Sequence, residues 1–358
     1  MKSFDFGYAY AQDNKQKHCF RQNKLLAKWY SIVITVSDII FGRIYKMDLF
    51  STFMGQMAFF ATTLVIGFFA YKIKFIDEIV LKGMSRLMMT IIIPLLILTV
   101  VANSGTKEEL ISVWPFFIAG ILMYAIHLAI GFLSANVLRL KQPEKNCHVC
   151  MTSYTNTSMF GYPVLMALFP EKAGFYIAAY AIVETAFIWT VGIMIMLSGK
   201  GEGGINVKKI FSPITIGLII GVVMIMLNIH PQGNVVWDTL TGIGGTMKYM
   251  GILFIGGDMA KRGFGAIFKN KKVFATIPIK LIIMPLAVFF ILKNIPIFDN
   301  EMLLSITVYS MLPTMLTMTI IAQDYDVAAD YASATTLLTT LFSVITMPFV
   351  FKTVMNFI

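Results

Sequence analysis

Residues 151–168, MTSYTNTSMFGYPVLMAL, place a polar cluster, a glycine and a proline inside an otherwise apolar stretch. A second stretch of this kind, residues 309–319, reads YSMLPTMLTMT and lies in the other half of the chain. An unpaired backbone amide or carbonyl costs several kcal/mol in lipid, so a broken helix at membrane depth must line a cavity within protein. Interruptions at corresponding positions of two halves indicate a transporter binding site. We therefore predict that two interrupted helices form the functional site.

The composition is that of a polytopic, all-α membrane protein. Hydrophobic residues make up 57% of the 358 residues and charged residues only 13%, whereas about a quarter of a soluble domain is charged. Apolar stretches of about 20 residues recur, each long enough to cross about 30 Å of hydrocarbon. The net charge of +10 comes largely from short loops, where basic residues fix orientation. We therefore expect a lipid bilayer around the chain and no nucleic-acid partner.

The hydropathy pattern predicts ten membrane spans in two groups of five. The spans cover residues 49–71, 79–102, 112–138, 148–169, 173–198, 211–228, 235–259, 272–293, 301–322 and 327–353. We predict a first repeat at 47–198, a cytoplasmic linker at 199–210 and a second repeat at 211–358. Because five is odd, the second repeat enters the membrane from the opposite side, which makes the two repeats inverted.

Basic residues are concentrated in the loops that follow odd-numbered spans. By the positive-inside rule these loops are cytoplasmic, so we expect a multi-pass protein of the cell membrane with both ends of the ten-span core outside. Residues 1–46 fit this layout poorly. They are either an extension upstream of a start at Met47, which we favour, or an eleventh, weakly hydrophobic segment. A cleaved signal peptide is a third alternative, although no small-residue cleavage site follows the apolar run.

The polar residues of the first interruption are the leading candidates for substrate binding: Asn156, Thr157 and Ser158, followed by Gly161 and Pro163. A carboxamide within a span is costly when it is unpaired. Proline suits the first turn of a second half-helix, whose free amides would form an anion site. The alternative is a helix-packing face with a proline kink.

Ser310, Pro313 and Thr314 form the counterpart in the second interruption. We expect Pro313 to begin a half-helix with Ser310 as its cap; the alternative for this proline alone is again a kink. Lys248 and Lys280 lie inside spans, where an ammonium is costly and could attract a carboxylate substrate. The alternative for both is that the side chain reaches the membrane interface.

Glu184, in the middle of the fifth span, is a candidate for proton coupling, or else a structural partner for one of the lysines. His127 is a second candidate for coupling, because a histidine can titrate near neutral pH, although a lone histidine is more often a satisfied packing residue. We predict no metal at Cys147–Cys150, because no second pair of ligands completes the set. We find no enzyme motif, and the glycines of 242–245 and 256–257 fit close helix packing.

The stretch NTSMFGYPVLMALF (156–169), followed by IAAYAIVETAFIWTVG (177–192), resembles the auxin efflux carrier family, which includes bacterial malate permeases and plant PIN exporters. The similarity covers roughly residues 48–353. It implies ten helices in two inverted five-helix repeats, with helices four and nine broken and crossing at proline. Carried over by motif, Asn156, Gly161 and Pro163 belong to the first crossover and Pro313 to the second. It also implies transport of organic anions, mostly carboxylates.

The leading hypothesis is a permease that moves a small organic anion across the plasma membrane by alternating access. We expect no cofactor, and leave coupling to protons, coupling to sodium and formation of a homodimer open. A bile-acid-type sodium-coupled symporter is the alternative. A membrane-embedded enzyme is a weaker one, because Glu184 and His127 are the one candidate pair of catalytic groups within the spans.

Overall fold

The computed structural model describes residues 49–198, 212–229, 231–263 and 270–358. Within these ranges every regular element is a helix and no strand is present. Residues Thr52–Ile358 form one compact unit, and of a second unit, Met1–Ser51, only the last three residues are described. The proposed extension at 1–46 and the linker at 199–210 lie outside the described residues.

The helices match the predicted spans in order and place. They are α1 (Leu49–Lys72), α2 (Glu78–Ala102), α3 (Lys107–Val137), α4 (Glu144–Ser153), α5 (Thr157–Leu168), α6 (Ala173–Met196), α7 (Pro213–Met226), α8 (Val235–Gly245), α9 (Met247–Arg262), α10 (Lys271–Leu292), α11 (Asn300–Met311), α12 (Leu316–Asp324) and α13 (Ala329–Met355). Six of them, α1, α2, α3, α6, α10 and α13, are long and apolar enough to cross a membrane. The other predicted spans are shorter helices or pairs of helices, and the inverted relation of the two repeats stays a prediction.

Polar residues at the ends of the spans begin several helices. Asp77 accepts a hydrogen bond from the amide of Val80 at the start of α2, at 2.8 Å. Thr106 and Glu109 form a reciprocal capping box at the start of α3. Such caps satisfy amides that have no partner within the helix, and they fix where each span begins.

Glycines bring the helices into close contact. At Gly256 of α9 an added Cβ would overlap the backbone of α1 at Leu64, and at Gly67 of α1 it would overlap the backbone of α9 at Leu253. Gly244 of α8 similarly faces the backbone of α2, with the Leu96 nitrogen 2.7 Å from the added atom. Small residues allow this approach between membrane helices, which confirms the packing interpretation at these positions.

Two helix pairs are interrupted near the predicted positions, Asn156–Pro163 and Ser310–Pro313, but the first break lies earlier and the second lies later in the chain. Residues 154–156, here the first break, separate α4 from α5, and residues 312–315, the second break, separate α11 from α12. All of these residues are buried. The fold therefore holds two stretches of non-helical backbone inside the protein, and their polar groups need partners there.

Candidate functional site

The two breaks lie side by side and satisfy each other. The amide of Asn156 donates to the carbonyl of Pro313 at 2.9 Å, and the amide of Met315 donates to the carbonyl of Tyr154 at 3.1 Å. These reciprocal bonds make a short antiparallel bridge in the middle of two helical segments. The pairing meets the requirement that backbone polar groups be satisfied at membrane depth, and it joins the two interrupted segments.

Threonine hydroxyls reinforce the bridge. Thr155 and Thr314 are the bridged residues, and the Thr314 hydroxyl donates to the carbonyl of Met151 at 2.8 Å. Thr339 of α13 accepts from the Thr314 amide and contacts its hydroxyl, both at 3.2 Å. On the other side, the Thr155 hydroxyl lies 3.4 Å from the Tyr180 hydroxyl of α6. Two further helices, α13 and α6, therefore hold the bridge through polar contacts.

Asn156 is the residue before α5, and its side chain is 5% exposed. It does not cap the helix, although asparagine is favoured as a cap. Its carboxamide makes one weak contact, from Nδ2 to the Met159 sulfur at 3.9 Å. The Asn156 carboxamide, the leading ligand candidate from the sequence, therefore has donor and acceptor capacity left for a bound molecule. Ser158, two residues later, is half-buried.

Glu184 of α6 binds the first residue of α5. The Thr157 hydroxyl lies 2.6 and 2.7 Å from the two carboxylate oxygens, and both residues are buried. Among the described residues the ion pairs lie elsewhere, so the alternative that Glu184 pairs with Lys248 or Lys280 is wrong. Its carboxylate is held by a hydroxyl at a helix start instead.

Four buried tyrosines surround this carboxylate. Tyr124, Tyr162, Tyr180 and Tyr309 all lie close enough to Glu184 to interact electrostatically. The Tyr180 hydroxyl donates to that of Tyr124 at 3.2 Å, and the Tyr180 ring stacks on Tyr309 with centroids 4.3 Å apart. Aromatic rings therefore exclude water from the carboxylate and pack it against the second interrupted segment.

His127 of α3 bridges the two interrupted segments. Its Nδ1 lies 3.0 Å from the carbonyl of Ser153 and its Nε2 lies 2.6 Å from the hydroxyl of Ser310. A carbonyl can only accept, so Nδ1 carries the hydrogen and, in the neutral ring, Nε2 accepts from the hydroxyl. Ser310 lies in the last turn of α11 and does not cap the following half-helix, so that expectation is wrong. The Ser310 hydroxyl is instead hydrogen-bonded to the His127 ring of α3.

Lys280 is fully buried in α10, and its side-chain nitrogen has no hydrogen-bond partner among the described residues. It is near enough to the His127 ring for the two to interact electrostatically. Its helix packs against α4, α11 and α13. The alternative that this lysine reaches the membrane interface is wrong, and its amine is instead buried where α10 packs against these helices.

Pro163 lies in the first turn of an α-helix, as predicted, whereas Pro313 does not. The α-helical part of α5 is Tyr162–Leu168. However, α5 begins earlier with a π-helical turn at Thr157–Gly161, and the Thr157 amide donates to the carbonyl of Thr155 within the first break, at 3.1 Å. Pro313 lies within the second break and begins no helix, because α12 starts at Leu316. A proline carbonyl can accept across the bridge, whereas its nitrogen needs no partner.

Gly161 packs against the second interrupted segment. An added Cβ would lie 2.8 Å from Leu312 and 2.9 Å from the Tyr309 ring. The absence of a side chain therefore lets α5 approach α11 closely. Gly161 therefore lies where the two interrupted segments meet, as the family resemblance implied, and it allows them to pack closely.

Lys248 lies apart from the bridge. It is exposed, with its ammonium 4.7 Å from the centre of the Tyr249 ring. Both residues line a cavity of about 410 Å³ that Pro163, Gln56 and Phe59 also line. The structure therefore places Lys248 at a neighbouring cavity that reaches α5, and not among the ligands of the two breaks.

The short motif at 147–150 is structural. Both ring nitrogens of His148 are engaged, with the Ser134 hydroxyl at 2.8 Å and the Tyr331 hydroxyl at 2.7 Å. In the part of the chain that the structure describes, no group of three His, Cys, Asp or Glu side chains could hold a metal ion.

Sequence reasoning missed Thr339 and the tyrosines around Glu184. The run TTLLTT at 335–340 was an available signal, because paired threonines recur there on an apolar helix. Tyr180 and Glu184 are four residues apart on α6, a spacing that places them on one face. The other tyrosines come from different helices, and no local pattern links them.

Comparison with known proteins supports this picture at the level of the family. No curated protein matches significantly. The profile of a family of membrane transporters, described as "Membrane transport protein", matches residues 52–351 and so includes both breaks. The chain therefore belongs to the membrane transport protein family, the auxin efflux carrier group that its sequence resembles.

Proposed function

We propose that this protein is a secondary transporter that moves a small organic anion, a carboxylate, across the cell membrane by alternating access. The observation that carries the proposal is the buried bridge between the two breaks, with an uncommitted carboxamide beside it. Discontinuous helices that meet in a transporter leave half-helix termini free to bind substrate. Asn156 and the positively polarised start of α5 are the features that we assign to the substrate.

The chemistry of these groups suits an anion. The start of a helix carries partial positive charge and unpaired amides, and α5 and α12 both start at the breaks. The amine of Lys280, fully buried in α10, is a further group that can carry a positive charge. A carboxylate bound at Asn156 would therefore be favoured by both features over a neutral or cationic molecule.

The cavity at Lys248 is our candidate for the access route. Its ammonium would attract the anion, and the rings of Phe59 and Tyr249 would contact an apolar body. Pro163 is common to this cavity and to α5. The bridge ties α4, α5, α11 and α12 together, so in our proposal they move as one body while α1, α2 and α8 stay in place.

A sodium-coupled symporter of the bile-acid type is the second candidate. The clustered hydroxyls of Thr155, Thr314 and Thr339 favour it, because hard cations prefer oxygen ligands. Replacing external sodium by potassium or choline separates the two candidates. Sodium-dependent uptake would support this candidate.

Uptake of radiolabelled dicarboxylates and indole acids into proteoliposomes tests the proposal. We expect wild-type protein to transport at least one of them, and Asn156→Ala to lose about tenfold or more, since a hydrogen bond to a charged group contributes about 1.5–3 kcal/mol. Asn356→Ala, at an exposed position near the end of the chain, is the matched control and should transport like wild type. Normal uptake by Asn156→Ala would remove this residue from the site. Folded wild-type protein that takes up no member of the panel would contradict the proposal.

A further inference from the structure

The place that best suits a substrate carboxylate is already occupied by a carboxylate of the chain. Glu184 lies against the first residue of α5, with both oxygens within 2.7 Å of the Thr157 hydroxyl. This hydroxyl has one hydrogen to donate. An incoming anion and Glu184 would therefore require the same donor and the same positive helix end.

The described residues around Glu184 include no basic side chain paired with its carboxylate. The titratable groups that face it are tyrosines, Tyr124 from α3, Tyr162 from α5, Tyr309 from α11 and Tyr180 on its own helix. Three further helices, α2, α4 and α7, pack against α6. Residues 88–102 of α2 and all of α7 contain no titratable side chain. Helix α4 has Glu144, Lys145, Cys147, His148 and Cys150, and it packs against the end of α6 at Ile193–Met196, beyond Glu184. Throughout the described ranges, no lysine, arginine or histidine forms an ion pair with this carboxylate.

Two carboxylates that share such a site cannot both remain ionised, because repulsion between like charges in a water-poor site is strong. Either the substrate stays out, or one of the two carboxylates takes up a proton. The chain's own carboxylate can remain in place after it is neutralised, since a protonated carboxyl still donates and accepts hydrogen bonds.

We infer that Glu184 is an internal competitor of the substrate, and that a substrate carboxylate binds at Thr157 and Asn156 only when Glu184 has taken up a proton. The inference rests on the proposed function and determines its coupling. A proton adds to a carboxylate oxygen of Glu184, and the substrate takes over the hydrogen bond of Thr157. After the substrate leaves on the other side, Glu184 releases the proton there and returns to Thr157.

This cycle fixes the net charge that crosses the membrane with each substrate molecule. One proton crosses with each substrate molecule, so a monocarboxylate moves without net charge and a dicarboxylate moves with one net negative charge. Glu184→Gln has no carboxylate to neutralise and would carry the anion alone. The driving force of uptake therefore reports directly on the role of this side chain.

The experiment measures accumulation of a labelled monocarboxylate in proteoliposomes, with the pH gradient and the membrane potential set independently and diffusion into protein-free liposomes subtracted. Wild-type protein should accumulate substrate about tenfold per unit of pH gradient and ignore the potential. Glu184→Gln, whatever its rate, should respond to the potential, about tenfold per 59 mV, and ignore the pH gradient. Glu171→Gln removes an exposed carboxylate and should behave like wild type.

Two results would overturn the inference: wild-type uptake driven by the potential alone, or Glu184→Gln uptake that still follows the pH gradient. The wild-type arm decides by itself if the variant does not fold. Wild-type protein that takes up none of the carboxylates gives a different result, which counts against the proposed function itself.

Discussion

Gly161→Ala tests whether the two interrupted segments pack as closely as the structure shows. The new Cβ would lie 2.8 Å from Leu312 and 2.9 Å from the Tyr309 ring, whereas ordinary contacts begin at 3.4 Å. Neighbouring atoms would have to move by about half an ångström, and neither neighbour moves easily. Leu312 is buried within the second break, and Tyr309 is stacked against Tyr180.

The magnitude follows from two opposing terms. Inserting a methyl group into a well-packed interior costs about 1–3 kcal/mol, while replacing a helical glycine by alanine gains about 0.5–1 kcal/mol. We expect Gly161→Ala to lower the free energy of unfolding by about 1–2 kcal/mol and to slow transport, because α5 is displaced from the second break.

Gly242→Ala is the matched control. Gly242 is an exposed glycine of α8, with no atom within 4 Å of an added Cβ. This variant should gain up to about 1 kcal/mol and transport normally. Unfolding titrations in mixed micelles give the stability difference, and proteoliposome uptake gives the activity. A Gly161→Ala protein as stable as the control would refute the described packing of the two segments.

His127→Ala leaves the Ser153 carbonyl and the Ser310 hydroxyl without their partner. The free energy of unfolding should fall by about 1–3 kcal/mol for each of these groups. Wild-type stability in the same titration would show that His127 does not make these two hydrogen bonds. Lys280→Met removes a buried amine that has no hydrogen-bond partner in the described part of the chain, so it should raise the free energy of unfolding by up to about 3 kcal/mol. We expect the same variant to lose uptake, since this positive charge favours the anion in our proposal, and unchanged uptake would assign Lys280 a role outside binding.

The sequence was sufficient to place the helices and both breaks, because hydropathy and polar interruptions are local features. The order of the helices follows from the same signals. What the sequence did not determine is how each break is built. Pro313 accepts the amide of Asn156 across the bridge, and this use of the carbonyl depends on a partner far away in the chain. Local sequence rules predicted a helix start at Pro313, whereas in the structure this residue makes a tertiary contact.

In the candidate site, too, the sequence predicted local features but not the contacts between distant residues. Asn156, Thr157 and Thr314 were predicted as a group and do lie at the bridge. Glu184 was predicted to lie deep in a span, yet its contact with Thr157 could not be foreseen, because the two residues are on different helices. Lys248 appears from sequence to be buried in a span, whereas a break in the helix at Thr246 and the adjacent cavity leave it exposed.

An electron cryomicroscopy map of the protein with a transported carboxylate, compared with a map without it, tests the central claim most directly. The claim is that substrate binds where the two breaks meet, in place of the chain's own carboxylate. We predict density for the carboxylate against Asn156 and Thr157, with Glu184 displaced from the Thr157 hydroxyl. Density elsewhere, with Glu184 still bound to Thr157, would contradict the account.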